Sequence, residues 1–244
     1  MSGETMYIVS DAHLGCGTES EKAERELCAL LNRALNEKAR VVLLGDIFDF
    51  WFSYKETVPR GYMRLLGKLA ALRDHGIKVD YWTGNHDMWV FDYLERKLGV
   101  TMHEEPEMME IDGKRWLLGH GDGLNPADKE YLLLRKFFRS RVCQWLFTLL
   151  PSSLTFAIAR KWSGSSRSNH KDKDPKECSA VADYCQRKSE LEEIDYCVFG
   201  HTHHAEEKIL GESGCKYVNT GEWGRTRTYA IYKDGELTLR RWGE

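Results

Sequence analysis

Five short polar clusters punctuate the chain: Asp11-Ala12-His13, Gly45-Asp46 with Asp49, Gly84-Asn85-His86-Asp87, Gly119-His120-Gly121-Asp122 and Gly200-His201-Thr202-His203. In order they offer a carboxylate with an imidazole, a carboxylate, an amide with an imidazole, a single imidazole, and an imidazole pair. Together they make a full ligand set for two divalent cations that share one carboxylate. A cation pair about 3.5–4 Å apart activates a water and neutralises phosphoryl oxygens, so the chemistry indicated is metal-assisted hydrolysis of a phosphate ester or anhydride. Asp46 is the natural bridge, because one carboxylate can bind two cations. Carboxylate, amide and imidazole in combination suit Mn, Fe or Zn better than Ca. No single cluster carries this reading, since a lone His is more often a core or surface residue. The order of all five carries it.

Each cluster follows an apolar run of strand length. Functional side chains gathered at strand ends point to the carboxyl edge of an open sheet. The pattern predicts strands over 6–10, 40–44, 77–83 and 115–118, with helices over 19–36 and 59–75 between them. Strands separated by helices of that length imply parallel pairing with helices outside. Beyond residue 172 the pattern predicts a helix over 175–191 and a strand over 195–199. Three further strands follow over 215–218, 227–232 and 236–242. Asp234-Gly235 is a hairpin-turn dipeptide, and this end reads as antiparallel. The fold expected is α/β: two mixed sheets packed face to face with helices outside, a four-layer αββα sandwich, in a single domain covering 1–244.

A chain of 244 residues with 42% hydrophobic content supports one sizeable core. A net charge of −3 gives no footing for bulk nucleic-acid binding. The 30% charged and 11% aromatic content excludes disorder as the general state. The cysteines number seven with no Cys-x-x-Cys, so a disulfide framework or thiolate zinc site is not expected, and a reducing cytosol is. No basic-then-apolar leader precedes the first strand, so no signal peptide is expected.

One segment, 124–171, differs from the rest. Over 131–171 there is no Asp or Glu, while Arg135, Lys136, Arg139, Arg141, Arg160, Lys161, Arg167 and Lys171 are basic. The other 27 basic residues face 38 acidic ones, so the remainder of the chain carries −11. The run from Val142 to Ala159 has no charge and reaches the lower edge of a membrane span. Pro151, Ser152, Ser153 and Gln144 argue against a transmembrane span. Two amphipathic helices meeting near Pro151 are expected instead. They form either a hairpin packed on the sheet or a basic, apolar surface that meets anionic lipid. The acid-free composition favours the second.

Taken in order, the five clusters resemble those of the calcineurin-like metallophosphoesterases. The resemblance implies two divalent metal ions, Mn first, with Fe, Zn or Mg as alternatives. Asp11, His13 and His203 would complete one site, Asn85, His120 and His201 the other, with Asp46 bridging. His86 occupies the place that faces the scissile phosphate in that superfamily, where it protonates the leaving group or stabilises charge, with Asp49 as orienting partner. Its plainer alternative is a strand-end cap. Asp87 and Asp122 read as supporting or turn-forming residues, and Asn219, Thr220 and Gly221 as a closing turn near the site. His75 and His103 read as structural.

The insertion narrows the resemblance. From His120 through Asp128, Tyr131 and Arg135 to the Trp145–Pro151 region and Ile158-Ala159-Arg160, the chain is similar to the UDP-2,3-diacylglucosamine hydrolases of lipid A synthesis. Gly45 through Trp51 and Gly221-Glu222-Trp223 share the likeness, which runs from about Tyr7 to Trp242. It implies cleavage of an acylated UDP-sugar to UMP and 2,3-diacylglucosamine 1-phosphate (lipid X). The insertion would be a lid that holds the acyl chains, with basic residues meeting phosphate and headgroups. Asp128, Arg160, Ser165 and Lys171 are the substrate contacts it implies. The location implied is cytoplasmic, peripheral on the inner membrane. One departure stands out: the better-known form has Arg where this chain has His86. Arg holds phosphate as a fixed charge, whereas His also transfers a proton. Two other readings are a phosphodiesterase or phosphatase acting on a soluble nucleotide or phosphoprotein, and a peripheral membrane binding module with a degenerate site. The complete ligand set argues against the last.

Overall fold

The computed structural model describes residues 3–53, 57–151, 154–155, 157–158 and 175–244. The runs Met6–Val9 (β1), Arg40–Leu44 (β2) and Val79–Trp82 (β3) are fully buried. Being short and rich in β-branched and aromatic residues, they take the conformation suited to strands covered on both faces. With Thr101–His103 (β4) they form four parallel neighbours. Thr228–Lys233 (β10) pairs antiparallel with β1, and Glu236–Arg241 (β11) antiparallel with β10, which completes a six-stranded sheet.

The second sheet has five strands in the order β5 (Glu107–Ile111), β6 (Lys114–Gly119), β7 (Tyr196–Phe199), β9 (Cys215–Asn219) and β8 (Glu206–Leu210). Its three inner strands are parallel and its two edges antiparallel. Side chains alternate across each strand. Met6, Ile8, Val42 and Leu44 therefore point one way, against Trp116, Leu118, Val198 and Val218 of the second sheet. Tyr7, Val9, Val41 and Leu43 point the other way, to the helices α1 (Ser20–Glu37), α2 (Met63–Asp74) and α3 (Tyr93–Leu98). α6 (Pro175–Leu191) covers the far face of the second sheet through Val181, Ala182 and Cys185. Two sheets and two helical layers make the αββα sandwich that the sequence pattern predicts.

The differences have local causes. α2 starts at Met63, four residues later than expected, because Gly61 (φ 116°) and Tyr62 (φ 57°) are left-handed and cannot extend a helix. The hairpin at Asp234-Gly235 forms as expected, with Lys233 opposite Glu236. β9, however, runs parallel to β7, and its antiparallel partner is β8, a strand the pattern reading missed. β8 is a mostly exposed edge with two Glu and a Lys, the composition that blunts edges and masks a strand in sequence. In the insertion, α4 (Lys129–Phe138) and α5 (Arg141–Thr148) are separated at Ser140, whose side chain accepts from the Cys143 N–H at 3.2 Å. The chain is helical again at 154–155 and 157–158, where the Pro151 carbonyl accepts from Leu154 and Thr155. The helices thus meet near Pro151 as expected, with an additional break at Ser140.

Candidate metal centre

β1, β2, β3, β6 and β7 are parallel within their sheets, so the five clusters that follow them lie together at the carboxyl edge of the sandwich. The backbone there is bent hard. Asp11 (φ 51°), His13 (44°), Asp46 (51°), His201 (67°) and His203 (57°) are all left-handed, although none is glycine. Such conformations cost of order 1 kcal/mol or more each and persist only where the surroundings hold them. Here hydrogen bonds between loops do so. Asp11 N–H donates to the Gly45 carbonyl at 3.0 Å, His13 N–H to Asp46 at 2.9 Å, and Gly200 N–H to His120 at 2.9 Å. Gly84 is required by close approach: a Cβ there would lie 2.1 Å from Asp46 Oδ1.

The side chains converge in three overlapping groups: Asp11, His13 and His203; His13, Asp46 and His86; and Asp46, His120 and His201. His203 Nε2 lies 3.1 Å from Asp11 Oδ1 and 3.1 Å from His13 Nε2. His120 Nε2 lies 3.4 Å from Asp46 Oδ2. Asp46 is shared by two groups, with Oδ1 accepting from the His86 N–H at 2.8 Å and Oδ2 turned to His120. His120 Nδ1 donates to the Leu44 carbonyl at 2.7 Å, which leaves Nε2 facing the centre. Asp11 Oδ1, His13 Nδ1, Asn85 Oδ1 and His120 Nε2 are buried without a well-formed hydrogen bond among the described residues, Asp11 Oδ1 and His120 Nε2 making ion-pair contacts to His203 and Asp46 instead. Orphaned buried polar atoms are expensive, about 1–3 kcal/mol each. Four of them, all on predicted ligands and all at one edge, fit a site built to be completed by cations.

Charge at the centre is mutually sustained. Burial pushes Asp11 up, but the neighbouring His203 outweighs it and holds the carboxyl at about 2. Burial likewise opposes ionisation of Asp46, and His120 and His86 hold it well below the usual carboxylate range. Burial alone would keep His120 neutral, yet the Asp46 carboxylate raises it to about 10. Burial wins at His13, which falls to about 3. A metal ion at His120 would bind the ring with Nε2 unprotonated, so metal binding there would release a proton.

Of the other predicted residues, His86 Nδ1 lies 3.0 Å from the Asp49 carbonyl and 3.8 Å from Asp49 Oδ1. The hydrogen bond is therefore to the Asp49 main chain, with the carboxylate at ion-pair distance. Asp87 braces two turns: it accepts from Gly84 N–H at 2.7 Å and Ile47 N–H at 2.9 Å. Burial and then Asp46 raise its pKa to about 6. The Asn219 amide donates to the Gly200 carbonyl at 2.7 Å, and Thr220 Oγ1 lies 2.6 Å from Ser10 Oγ, so that turn does close on the site. His103 stacks on Trp82 and pairs with Asp80 and Glu107, away from the five clusters. Asp128 caps α4, its Oδ1 accepting from Tyr131 N–H at 3.0 Å. Arg160, Ser165 and Lys171 lie outside the described residues. Arg135 and Arg139, expected to meet phosphate, are turned to the sandwich and pair with Asp122 and Glu105, while Lys136 and Arg141 are exposed.

Two supporting residues escaped the sequence reading. Ser10 Oγ donates to Asp11 Oδ2, and Glu222 Oε2 lies 3.5 Å from His203 Nδ1. The signals were present, in a serine directly before Asp11 and in the Gly221-Glu222-Trp223 triplet, but nothing in linear spacing ties residue 222 to residue 203.

The sequence profile of the calcineurin-like phosphoesterase family matches residues 5–205. This chain belongs to that family and is a hydrolase, and membership implies divalent metal ions. It is 32% identical to a UDP-2,3-diacylglucosamine hydrolase of Porphyromonas gingivalis, with 96% of each chain covered. It is 28% identical to a protein of the same name from Neisseria gonorrhoeae, with 94% of each chain covered. Among solved structures, an archaeal phosphodiesterase aligns with 97% of this chain and 98% of its own at a TM-score of 0.52 and 14% identity, a likeness of fold.

Proposed function

We propose that the protein hydrolyses the pyrophosphate bond of UDP-2,3-diacylglucosamine to give UMP and 2,3-diacylglucosamine 1-phosphate. The observation that carries this reading is the apolar lid beside the candidate metal centre. Leu133 is 72%, Trp145 60% and Leu149 62% exposed, with Phe137, Val142 and Leu146 exposed between them. The same lid rests on the loops that bear the clusters: Phe138 and Phe147 pack on Phe52 and Trp89, and Arg135 pairs with Asp122. An apolar surface of that size beside a phosphoesterase centre suits a substrate with acyl chains at one end and phosphate at the other. The names of the relatives point the same way.

Asp11, His13 and His203 would hold one divalent ion, Asn85, His120 and His201 a second, and Asp46 both. When bound, the ions activate water and neutralise phosphoryl oxygens. Manganese is the proposed metal. His86 stands beside Asp46 with Nδ1 hydrogen-bonded to the Asp49 carbonyl, so the proton sits on Nδ1 and Nε2 points inward. Nε2 donates a proton to a leaving oxygen only from the doubly protonated ring, which makes His86 a general acid of the imidazolium form. Asp128, Arg160, Ser165 and Lys171 are proposed substrate contacts in a lid that spans 124–171. Among the described residues no helix is long and apolar enough to cross a membrane. The lid is proposed to rest on the cytoplasmic face of the inner membrane, in peripheral contact.

The second reading, hydrolysis of a soluble nucleotide diester, is favoured by His86 itself, which stands where the acylated-substrate enzymes of the better-known form carry Arg. Assay of the metal-loaded protein on UDP-diacylglucosamine beside bis(p-nitrophenyl) phosphate separates the two. Release of UMP, with heavy oxygen from labelled water in UMP and none in the lipid phosphate, supports the first. Turnover of the soluble diester with no uridine nucleotide released supports the second.

A further inference from the structure

The lid is fastened to the sandwich at two places. At one, Phe138, Cys143 and Phe147 pack on Phe52 and Trp89, and the Trp89 indole N–H donates to the Phe138 carbonyl at 2.9 Å. Phe52 and Trp89 each lie three residues beyond a predicted catalytic side chain, Asp49 and His86. At the other, Arg135 of α4 lies between two carboxylates. Its Nε–H donates to Asp122 Oδ2 at 2.7 Å, and its Nη2 donates to both oxygens of Glu105 at 3.0 Å. Arg139, one turn on, donates Nη1–H to Glu105 at 2.7 Å and to the Glu104 carbonyl at 3.0 Å. Asp122 lies two residues beyond His120 in the same loop. Glu105 belongs to the β4–β5 connection, where its own carbonyl accepts from the Trp82 indole at 3.2 Å.

The two halves of this bridge differ. Asp122 is buried, and the Tyr131 hydroxyl, 3.3 Å away, donates to the same oxygen that takes Arg135. Loss of Arg135 would leave that carboxylate without its cation, the costly way to break a buried pair. The Glu105 side chain is 61% exposed, so its pairs are screened by water and salt. Room for the arrangement is cut by Gly123, where a Cβ would come within 3.0 Å of Arg135 Cδ. Only a guanidinium fork serves both carboxylates from one side chain. An ammonium is a point charge and serves one well.

We infer that Arg135 is the positioning residue of the lid, indexing α4 to the His120 loop through Asp122, and that Glu105 is the weaker, salt-sensitive stay that sets how firmly the apolar surface is held toward the centre. The consequence for catalysis rests on the proposed acylated substrate. The indexing itself does not.

The test uses the full-length, metal-loaded protein with Glu105→Gln and Arg135→Lys. Amide hydrogen exchange over 129–148 is followed beside KM and kcat on UDP-diacylglucosamine and turnover of bis(p-nitrophenyl) phosphate. In Glu105→Gln, exchange in that segment and KM for the acylated substrate each rise about two- to tenfold, the range of an exposed ion-pair network, while kcat and soluble-diester turnover hold. Arg135→Lys moves both in the same direction and further. Raising the salt concentration moves the wild type toward Glu105→Gln and leaves that variant little changed. Wild-type exchange in both variants would overturn the inference. So would an equal loss of both activities with loss of metal in Glu105→Gln, since the carboxylate would then be serving the centre rather than the lid. If the wild type releases no UMP, the substrate reading fails on its own, and the exchange measurement still decides the role of Arg135.

Discussion

Gly84→Ala is the smallest change that should dismantle the centre. A Cβ on residue 84 would sit 2.1 Å from Asp46 Oδ1 and 2.7 Å from the Asp46 amide nitrogen. Ordinary contact begins at 3.4 Å, so the carboxylate oxygen must retreat by about 1.3 Å in a tightly packed interior. That displacement breaks the 2.8 Å bond from the His86 N–H and pulls Asp46 away from both ligand groups it joins. A misplacement of about 1 Å in a reacting centre costs roughly 10²-fold in rate, and the loss of a shared ligand adds to it. Gly84 does not lie in the left-handed region, so the penalty comes from contact and not from the backbone of residue 84. The matched control is Gly67→Ala in α2, where a Cβ meets nothing within 4 Å. That variant should gain about 0.5–1 kcal/mol from helix propensity and keep full activity. Elemental analysis, bis(p-nitrophenyl) phosphate turnover and thermal melts are measured on both. If Gly84→Ala retains two metals with turnover within about threefold of wild type, the close-packed account of Asp46 is wrong.

Further expectations follow from the same geometry. Asp46→Ala should deplete both metal sites and abolish turnover, and two metals per chain in that variant would remove Asp46 as the bridge. His86→Ala should lower turnover by about 10²–10⁴-fold with metal content intact, whereas near-normal turnover would leave it a loop anchor only. The Asp80–His103 pair should make stability pH-dependent on both sides. Burial pushes Asp80 up, but His103 and Arg40 lower it overall, so its contribution is present above the ordinary carboxylate value and is lost as pH falls through the depressed one. Burial lowers His103, but the hydrogen bonds it donates to Asp80 and Glu107 raise it overall, so its contribution is complete below the ordinary histidine value and is lost as pH rises through the raised one. Denaturant melts across pH should show that upper limb shrink in His103→Gln, the part owed to His120 remaining. An unchanged limb would place the titration elsewhere.

The sandwich was legible because its signals are local. Buried runs such as Met6–Val9 and Arg40–Leu44 are strands by composition, and the period of Ala23, Leu27, Leu30 and Ala34 marks the buried stripe of α1. The five clusters were legible because each strand end carries its own polar residues. Partnerships between distant segments were not. The parallel pairing of β9 with β7 and the charged edge β8 are set by which strands dock, and hydrophobic alternation is silent on that. The cations of α4 and the turn after it show the same limit. Composition shows that Arg135 and Arg139 are basic in an acid-free stretch, but their partners, Asp122 and Glu105, lie in segments that precede it.

The candidate sites also tie the two sheets together. Asp11 and His13 follow the first sheet and His203 the second, and Asp46 follows the first while His120 and His201 follow the second. Each ion would therefore rivet one sheet to the other at the carboxyl edge, drawing on residues from 11 to 203. A partly folded chain with only the first sheet formed presents an incomplete set for either ion, Asp11, His13 and Asp46 without His203, or Asp46 and Asn85 without His120 and His201, so cations should bind most tightly late in folding, once both sheets are in place. Saturation at 100 times Kd then favours the assembled sandwich by about 2.7 kcal/mol per ion. Chelation should loosen the mouth of the sandwich between the sheets, while the far end, closed by Trp116 against Tyr232, stays shut.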